Sequence, residues 1–254
     1  MSTTIVISNQ KGGVAKTTTC LSLGACLAEM QQNVLLIDLD PQAHLTISLG
    51  LNPETLRRAV DDVLLGYTSL ISVSRESPVP GMDIVPASRM LTVLDKVLYG
   101  RPGYQFHLKK ELEALGEELY NFILIDCPPS LGTLTLNGLV AADVLIIPVQ
   151  CDYYAAQSLY HFIKMVRQVK EKMNPRLVYR VLVTMYDRRN KICRIIHEQM
   201  QRGLNNVLFN TVIEVDTRLR ECPAFSQPVT IYAPSTRGSR QYRALARELM
   251  DNAG

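Results

Sequence analysis

Residues 4–19 read TIVISNQKGGVAKTTT, and the fold turns on this stretch. Its opening, Thr4–Ser8, is a short β-branched, apolar run of strand length. The segment Gln10-Lys11-Gly12-Gly13-Val14-Ala15-Lys16-Thr17-Thr18 follows, and a helical pattern then covers Thr17–Gln31. A strand, a glycine turn and a helix in that order build a phosphate cradle. Glycines let backbone N–H groups crowd a β-phosphate, the helix offers its positive end, and Lys16 reaches the β/γ oxygens. The Thr17 hydroxyl is then placed to ligate Mg²⁺. The plain G-x-x-x-x-G-K-[ST] motif is not met, because Gln10 and Ala15 stand at its two glycine positions.

Two further apolar runs end in acid. Val34–Asp38 leads into Leu39-Asp40-Pro41-Gln42, and Phe122–Asp126 leads into Cys127-Pro128-Pro129-Ser130. Carboxylates at the ends of strands beside a phosphate loop stand where a metal ion and an attacking water need them. A single such Asp could merely cap a turn. Three in this arrangement point to the metal.

The remaining β-rich runs are Val144–Val149 and Tyr179–Met185, and most of the five are continuously apolar, which marks strands covered on both faces. A further short strand is expected at Met82–Val85. Helical patterns alternate with these strands at Leu91–Leu119, Leu134–Ala141, Gln157–Met173 and Arg240–Met250. The expectation is an α/β fold: a doubly wound, mostly parallel twisted sheet flanked by helices, with its ligand at the carboxyl ends of the strands. The last helix carries Tyr242, Leu245, Leu249 and Met250 on one face. That stripe reads as packing onto the sheet, and less simply as a membrane-binding face.

The 254 residues are 47% hydrophobic and 20% charged, which excludes disordered and collagen-like classes. No uncharged apolar stretch approaches 18 residues, so no spanning helix is expected. The six cysteines form no C-x-x-C pair and read as reduced thiols in a cytoplasmic protein. Residues 1–150 hold 10 Lys/Arg against 15 Asp/Glu, whereas residues 151–254 hold 17 against 9. The asymmetry is either chance or the footprint of a polyanionic partner.

Five segments together are highly specific: NQKGGVAKTTT (9–19), LLIDLDPQ (35–42), LIDCPPSLGTLTLNGLVAADVLIIPVQCDYYA (124–155), LVTMYDRR (182–189) and TRLRECPAFSQPVTIYAPSTRGSRQYRALARELM (217–250). They resemble the ParA/MinD family of P-loop ATPases with a deviant Walker A loop, most closely its short Soj-like partition members. The resemblance implies one P-loop ATPase domain over 1–254, with ATP and Mg²⁺ as cofactors. ATP would be held by Lys11, Gly12, Gly13, Val14, Ala15, Lys16, Thr17 and Thr18, and its adenine by loops carrying Met185, Glu214 and Asp216. Thr17, Asp38 and Asp126 would serve the metal. The catalytic set would be Asp40, which orients water, Lys16, and Lys11, which reaches the phosphates of a second copy in an ATP-dependent homodimer. Slow, partner-stimulated hydrolysis would reopen that dimer.

Non-specific DNA and a ParB-like adaptor are the implied partners, with a nucleoid-associated location. Arg188, Arg189, Arg194, Arg218, Arg220, Arg237 and Arg240 are the DNA candidates, with Lys191, Arg202 and Arg243 nearby. Two alternatives stay open. A MinD-like membrane-associated ATPase would need an amphipathic tail, and no stable membrane association is expected. A cluster-bearing electron-transfer protein would need Cys127 and Cys151 to face a dimer axis.

The sequence departs from the family at Ala15 and Ala43, where glycine is usual, and at Glu214, where proline is common. If position 15 takes a positive φ, its methyl costs roughly 1 kcal/mol, with impaired nucleotide binding or hydrolysis as a consequence. The reading favoured here is a right-handed backbone that tolerates alanine.

Overall fold

The computed structural model describes residues 2–116, 118–204 and 206–253. Seven strands make one sheet: β1 Thr3–Ile7, β2 Val34–Asp38, β3 Arg75–Glu76, β4 Met82–Val85, β5 Phe122–Asp126, β6 Val144–Gln150 and β7 Val178–Thr184. Their order is β3-β4-β2-β5-β1-β6-β7, parallel throughout except where β3 pairs antiparallel with β4. From the central β1 the chain first builds outward through β2, then returns through β5 to the other flank. The turning point lies at the carboxyl ends of β1, β5 and β6, where a doubly wound sheet opens its crevice.

Among the described residues, twelve α-helices flank the sheet. In the first half they are α1 Lys16–Glu29, α2 His44–Ile47, α3 Val60–Leu64, α4 Leu70–Val73, α5 Leu91–Leu98 and α6 His107–Leu115. The second half adds α7 Thr133–Ala141, α8 Ala155–Lys172, α9 Lys191–Gly203, α10 Thr217–Glu221, α11 Val229–Tyr232 and α12 Arg237–Ala253. Alternate residues of every strand except the exposed β3 feed two apolar layers. Val6, Ile37 and Ile125 face the α7–α8 side, while Ile5, Leu36 and Leu124 face α1 and α12. This two-sided burial explains why the strands read as unbroken apolar runs.

The long helical pattern expected over 91–119 is interrupted. Gly100 and Gly103 take φ of 93° and 74°, which a right-handed helix cannot contain, so α5 and α6 are separate. The terminal stripe is also settled. Tyr242, Leu245 and Leu249 are buried in the layer that α12 shares with α1, and the Tyr242 hydroxyl meets Thr19 Oγ1 at 3.1 Å. Those side chains are therefore not available to a membrane. Among the described residues no helix is long and apolar enough to cross one.

Candidate functional site

The loop between β1 and α1 is wound by Gly13 at φ 73° and Ala15 at φ 66°, both left-handed. This corrects the right-handed backbone favoured above: the position does take the conformation that alanine disfavours. The winding takes successive amides out of any regular hydrogen-bonding pattern. Among the described residues, the N–H groups of residues 12–18 have no protein acceptor. A Cβ added at Gly12 or Gly13 would meet nothing within 4 Å, so the concavity is open. Such a ring of unsatisfied donors at a helix start is an anion nest. Thr184 Oγ1 braces it from β7 by donating to the Val14 carbonyl at 3.0 Å.

Lys16 lies almost wholly buried and folds back over the loop, its Nζ 3.3 Å from the Lys11 carbonyl. Burial lowers its pKa, while the nearby Asp126 and Asp40 carboxylates oppose the shift. Lys11 points elsewhere. Its ammonium forms an ion pair with Asp152, at the start of the turn before α8, and both side chains remain about one-third exposed.

The acids converge as the strand ends require, because Asp38 and Asp126 are register partners on β2 and β5. Their states differ. Asp126 accepts the Thr17 hydroxyl at 2.6 Å on Oδ2, while its buried Oδ1 has no donor. An unpartnered carboxylate oxygen beside a threonine hydroxyl fits a hard divalent cation that keeps some of its own water. Asp38 is fully committed: Oδ1 accepts the Asp40 amide at 3.0 Å, and Oδ2 accepts the Thr46 amide and hydroxyl at 2.9 and 2.7 Å. It anchors the loop that carries Asp40 and α2, so it adds charge near the cation position with neither oxygen spare. Burial pushes both acids above the usual carboxylate range. For Asp126, repulsion from Asp38 adds to that, whereas the Thr17 bond works against it. Asp40 gives one oxygen to the Gln42 amide at 2.9 Å. Ala43 then starts α2 at φ 53°, a second left-handed alanine.

A cavity of about 300 Å³ adjoins the cradle, lined by Ala15, Met185, Glu214, Asp216, Arg220 and Tyr242 among others. The three residues expected to hold adenine do meet here. The carboxylates, however, are not free to read a base. Asp216 accepts the Arg218 amide at 3.0 Å and the Gly238 amide at 2.8 Å, tying together the starts of α10 and α12. Glu214 takes Arg188 and Arg237, each at 2.5 Å, and Gln241 at 3.2 Å.

The family model AAA_31, an AAA domain, matches residues 2–179. The sporulation initiation inhibitor protein Soj of Bacillus subtilis is 39% identical over 98% of both chains. This chain belongs to the Soj/ParA family of P-loop ATPases. The chromosome partitioning protein ParA of Caulobacter vibrioides is 36% identical, over 97% of this chain and 93% of its own. Among solved structures, a cobyrinic acid a,c-diamide synthase from Mycobacterium smegmatis, with a bound ATP analog and magnesium, superposes with a TM-score of 0.87. It is 34% identical and covers 100% of this chain and 96% of its own. The fold is therefore that of the P-loop nucleotide triphosphatases.

Within this family member the arginines do not form one undivided group. Arg188, Arg189 and Arg237 share one cleft, and Arg189, Arg237 and Arg240 share the next. Arg194 joins them by donating to the Arg188 carbonyl at 2.8 Å. Arg220 instead lines the cavity beside the cradle. Arg218 pairs with Glu221 of its own helix at 2.7 Å. Arg243 bonds Glu29 at 2.7 Å, where it fastens α12 to α1. Cys127 and Cys151 are buried free thiols, and burial raises the pKa of both, which does not suit an exposed cluster on a dimer axis.

Asp152, Thr46 and Thr184 were not singled out from the sequence. Asp152 and Thr184 lie in the segments that carry the family resemblance, so position was the available signal. Thr46 had none, because its partner Asp38 meets it only once α2 is turned by Ala43.

The strain at position 15 has a direct consequence. Ala15→Gly is expected to raise the free energy of unfolding by roughly 0.5–1 kcal/mol, the left-handed penalty of alanine less the chain entropy of glycine. Urea titration reads this as a higher midpoint with unchanged slope. A lower midpoint would mean that the methyl group is held without strain.

Proposed function

We propose that this chain is a partition ATPase working as one unit, which binds ATP with Mg²⁺ and closes with a second copy into a nucleotide-sandwich dimer. It then holds DNA without regard to sequence and resets by hydrolysis under the stimulus of an adaptor protein. The observation that carries this reading is the donor-rich cradle of residues 12–18 beside the unpartnered Asp126 Oδ1. Seven unpaired amides and Lys16 suit the β- and γ-phosphates, and the loop hydroxyl of Thr17 with Asp126 suits the metal. The metal, when bound, neutralises charge on the phosphates. Lys16 holds the same oxygens from the cradle side. Asp40 accepts a hydrogen bond from the attacking water and orients it. Asp38 and Thr46 keep the Asp40 loop in place. Lys11, carried at the rim by Asp152, is free to exchange that carboxylate for the phosphates of the facing copy.

The membrane-associated alternative loses its support with the burial of the α12 stripe. Support for DNA comes from the paired clefts around Arg188, Arg189, Arg237 and Arg240, which sit in the positive half of the chain. Phosphate contacts release counterions, so the affinity must fall steeply with salt. For Arg189→Ala/Arg240→Ala, the slope of log K against log salt on random duplex is expected to shrink by about 2 for each protomer that touches the duplex, one per lost contact. ATP-dependent dimerisation should persist. An unchanged slope would remove these clefts from the DNA surface.

A further inference from the structure

We propose that the groove between α8 and α9 is a docking site for an amphipathic helix of a partner protein, one that carries acidic side chains along its edges. The groove encloses about 490 Å³ and shares no lining residue with the nucleotide loops. Its floor is apolar: Leu159 and Ile163 of α8 and Tyr179 of the edge strand β7. One wall is a stripe on α8, Tyr160, Lys164 and Arg167, spaced so that all three fall on one helix face and all exposed. The facing wall on α9 carries Ile196, Gln199, Met200 and Gly203; Leu159, Ile163 and Met200 are buried at the base, and half-buried Tyr179, Ile196 and Leu204 supply the apolar surface that solvent reaches.

Charge selects the occupant. No carboxylate lines the groove, and among the described residues none lies within salt-bridge distance of Lys164 or Arg167. An apolar trough flanked by two unneutralised cations matches a helix with a leucine-type face and glutamates beside it. Nucleic acid would satisfy the cations but leave the apolar floor unfilled.

The inference goes beyond the partition reading and does not depend on ATP, so its test is run without nucleotide. The full chain is titrated, with fluorescence anisotropy as the readout, into two labelled synthetic amphipathic peptides. Both have the same leucine face, flanked in one by glutamates and in the other by lysines. Single-stranded DNA serves as competitor. The glutamate peptide should bind at least about tenfold more tightly, the worth of two charge pairs at the rim. Lys164→Glu/Arg167→Glu should reverse that preference, and circular dichroism checks that the variant is folded. Equal affinities, a preference that survives the charge swap, displacement of the peptide by DNA, or binding of neither peptide would each overturn the proposal.

Discussion

Asp40→Ala is expected to cut ATP turnover by roughly 100-fold or more while leaving an ATP-bound dimer that outlives the parent's. A positioned general base contributes at least about that factor. Asp40 is the carboxylate of the site with the least structural duty. Asp38 spends both oxygens on backbone and on Thr46; Asp126 and Asp40 each spend one, but that of Asp126 holds the cradle residue Thr17, whereas that of Asp40 takes only the Gln42 amide two residues along its own loop. Its side chain can therefore be removed without dismantling the cradle, and ATP affinity should change little. Turnover is read by phosphate release and dimer lifetime by size-exclusion chromatography after nucleotide removal. Parental turnover in the variant would take the water-orienting role from Asp40.

Lys11→Ala should have the second large effect, on association and not on binding. The protomer's own phosphates are served by Lys16 and the loop amides, so ATP affinity should stay within a few-fold of the parent. Each dimer would lose two charge-assisted contacts of about 1.5–3 kcal/mol, a weakening of roughly 10²–10⁴-fold in dimer affinity. Asp152→Asn separates this from simple loss of charge. It frees Lys11 from its intramolecular partner and should leave dimerisation intact or strengthened. Sedimentation velocity with a non-hydrolysable ATP analog distinguishes the two. A Lys11→Ala protein that still dimerises would show that Lys11 does not complete a facing site.

The fold was legible because parallel strands buried on both faces are largely apolar, and five β-rich runs, most of them unbroken, stand out. The two-residue β3 and the short helices α2, α10 and α11 were not, since four or five residues carry too little periodicity to declare themselves. The helix α9 was also missed; its polar face is long and its buried contacts are few, Cys193 and Met200 among them. At the site, spacing alone located the cradle and the strand-end acids. Spacing could not say that Ala15 is left-handed, because the residue type argues against it and the surrounding structure imposes it. Nor could it divide the arginines. Arg188 and Arg220 look alike in sequence, yet Glu214 draws the first to the outer clefts while the second turns to the nucleotide side.

Everything proposed about dimers and DNA rests on residues 12–18 gripping a triphosphate. Isothermal titration of the full chain with ATP and Mg²⁺, beside Lys16→Ala, measures that grip. Saturable one-to-one binding by the parent is expected, with a loss of at least about tenfold in the variant, which lacks the ammonium that would contact the phosphates directly. No uptake of ATP by the parent, or equal uptake by both proteins, would contradict it.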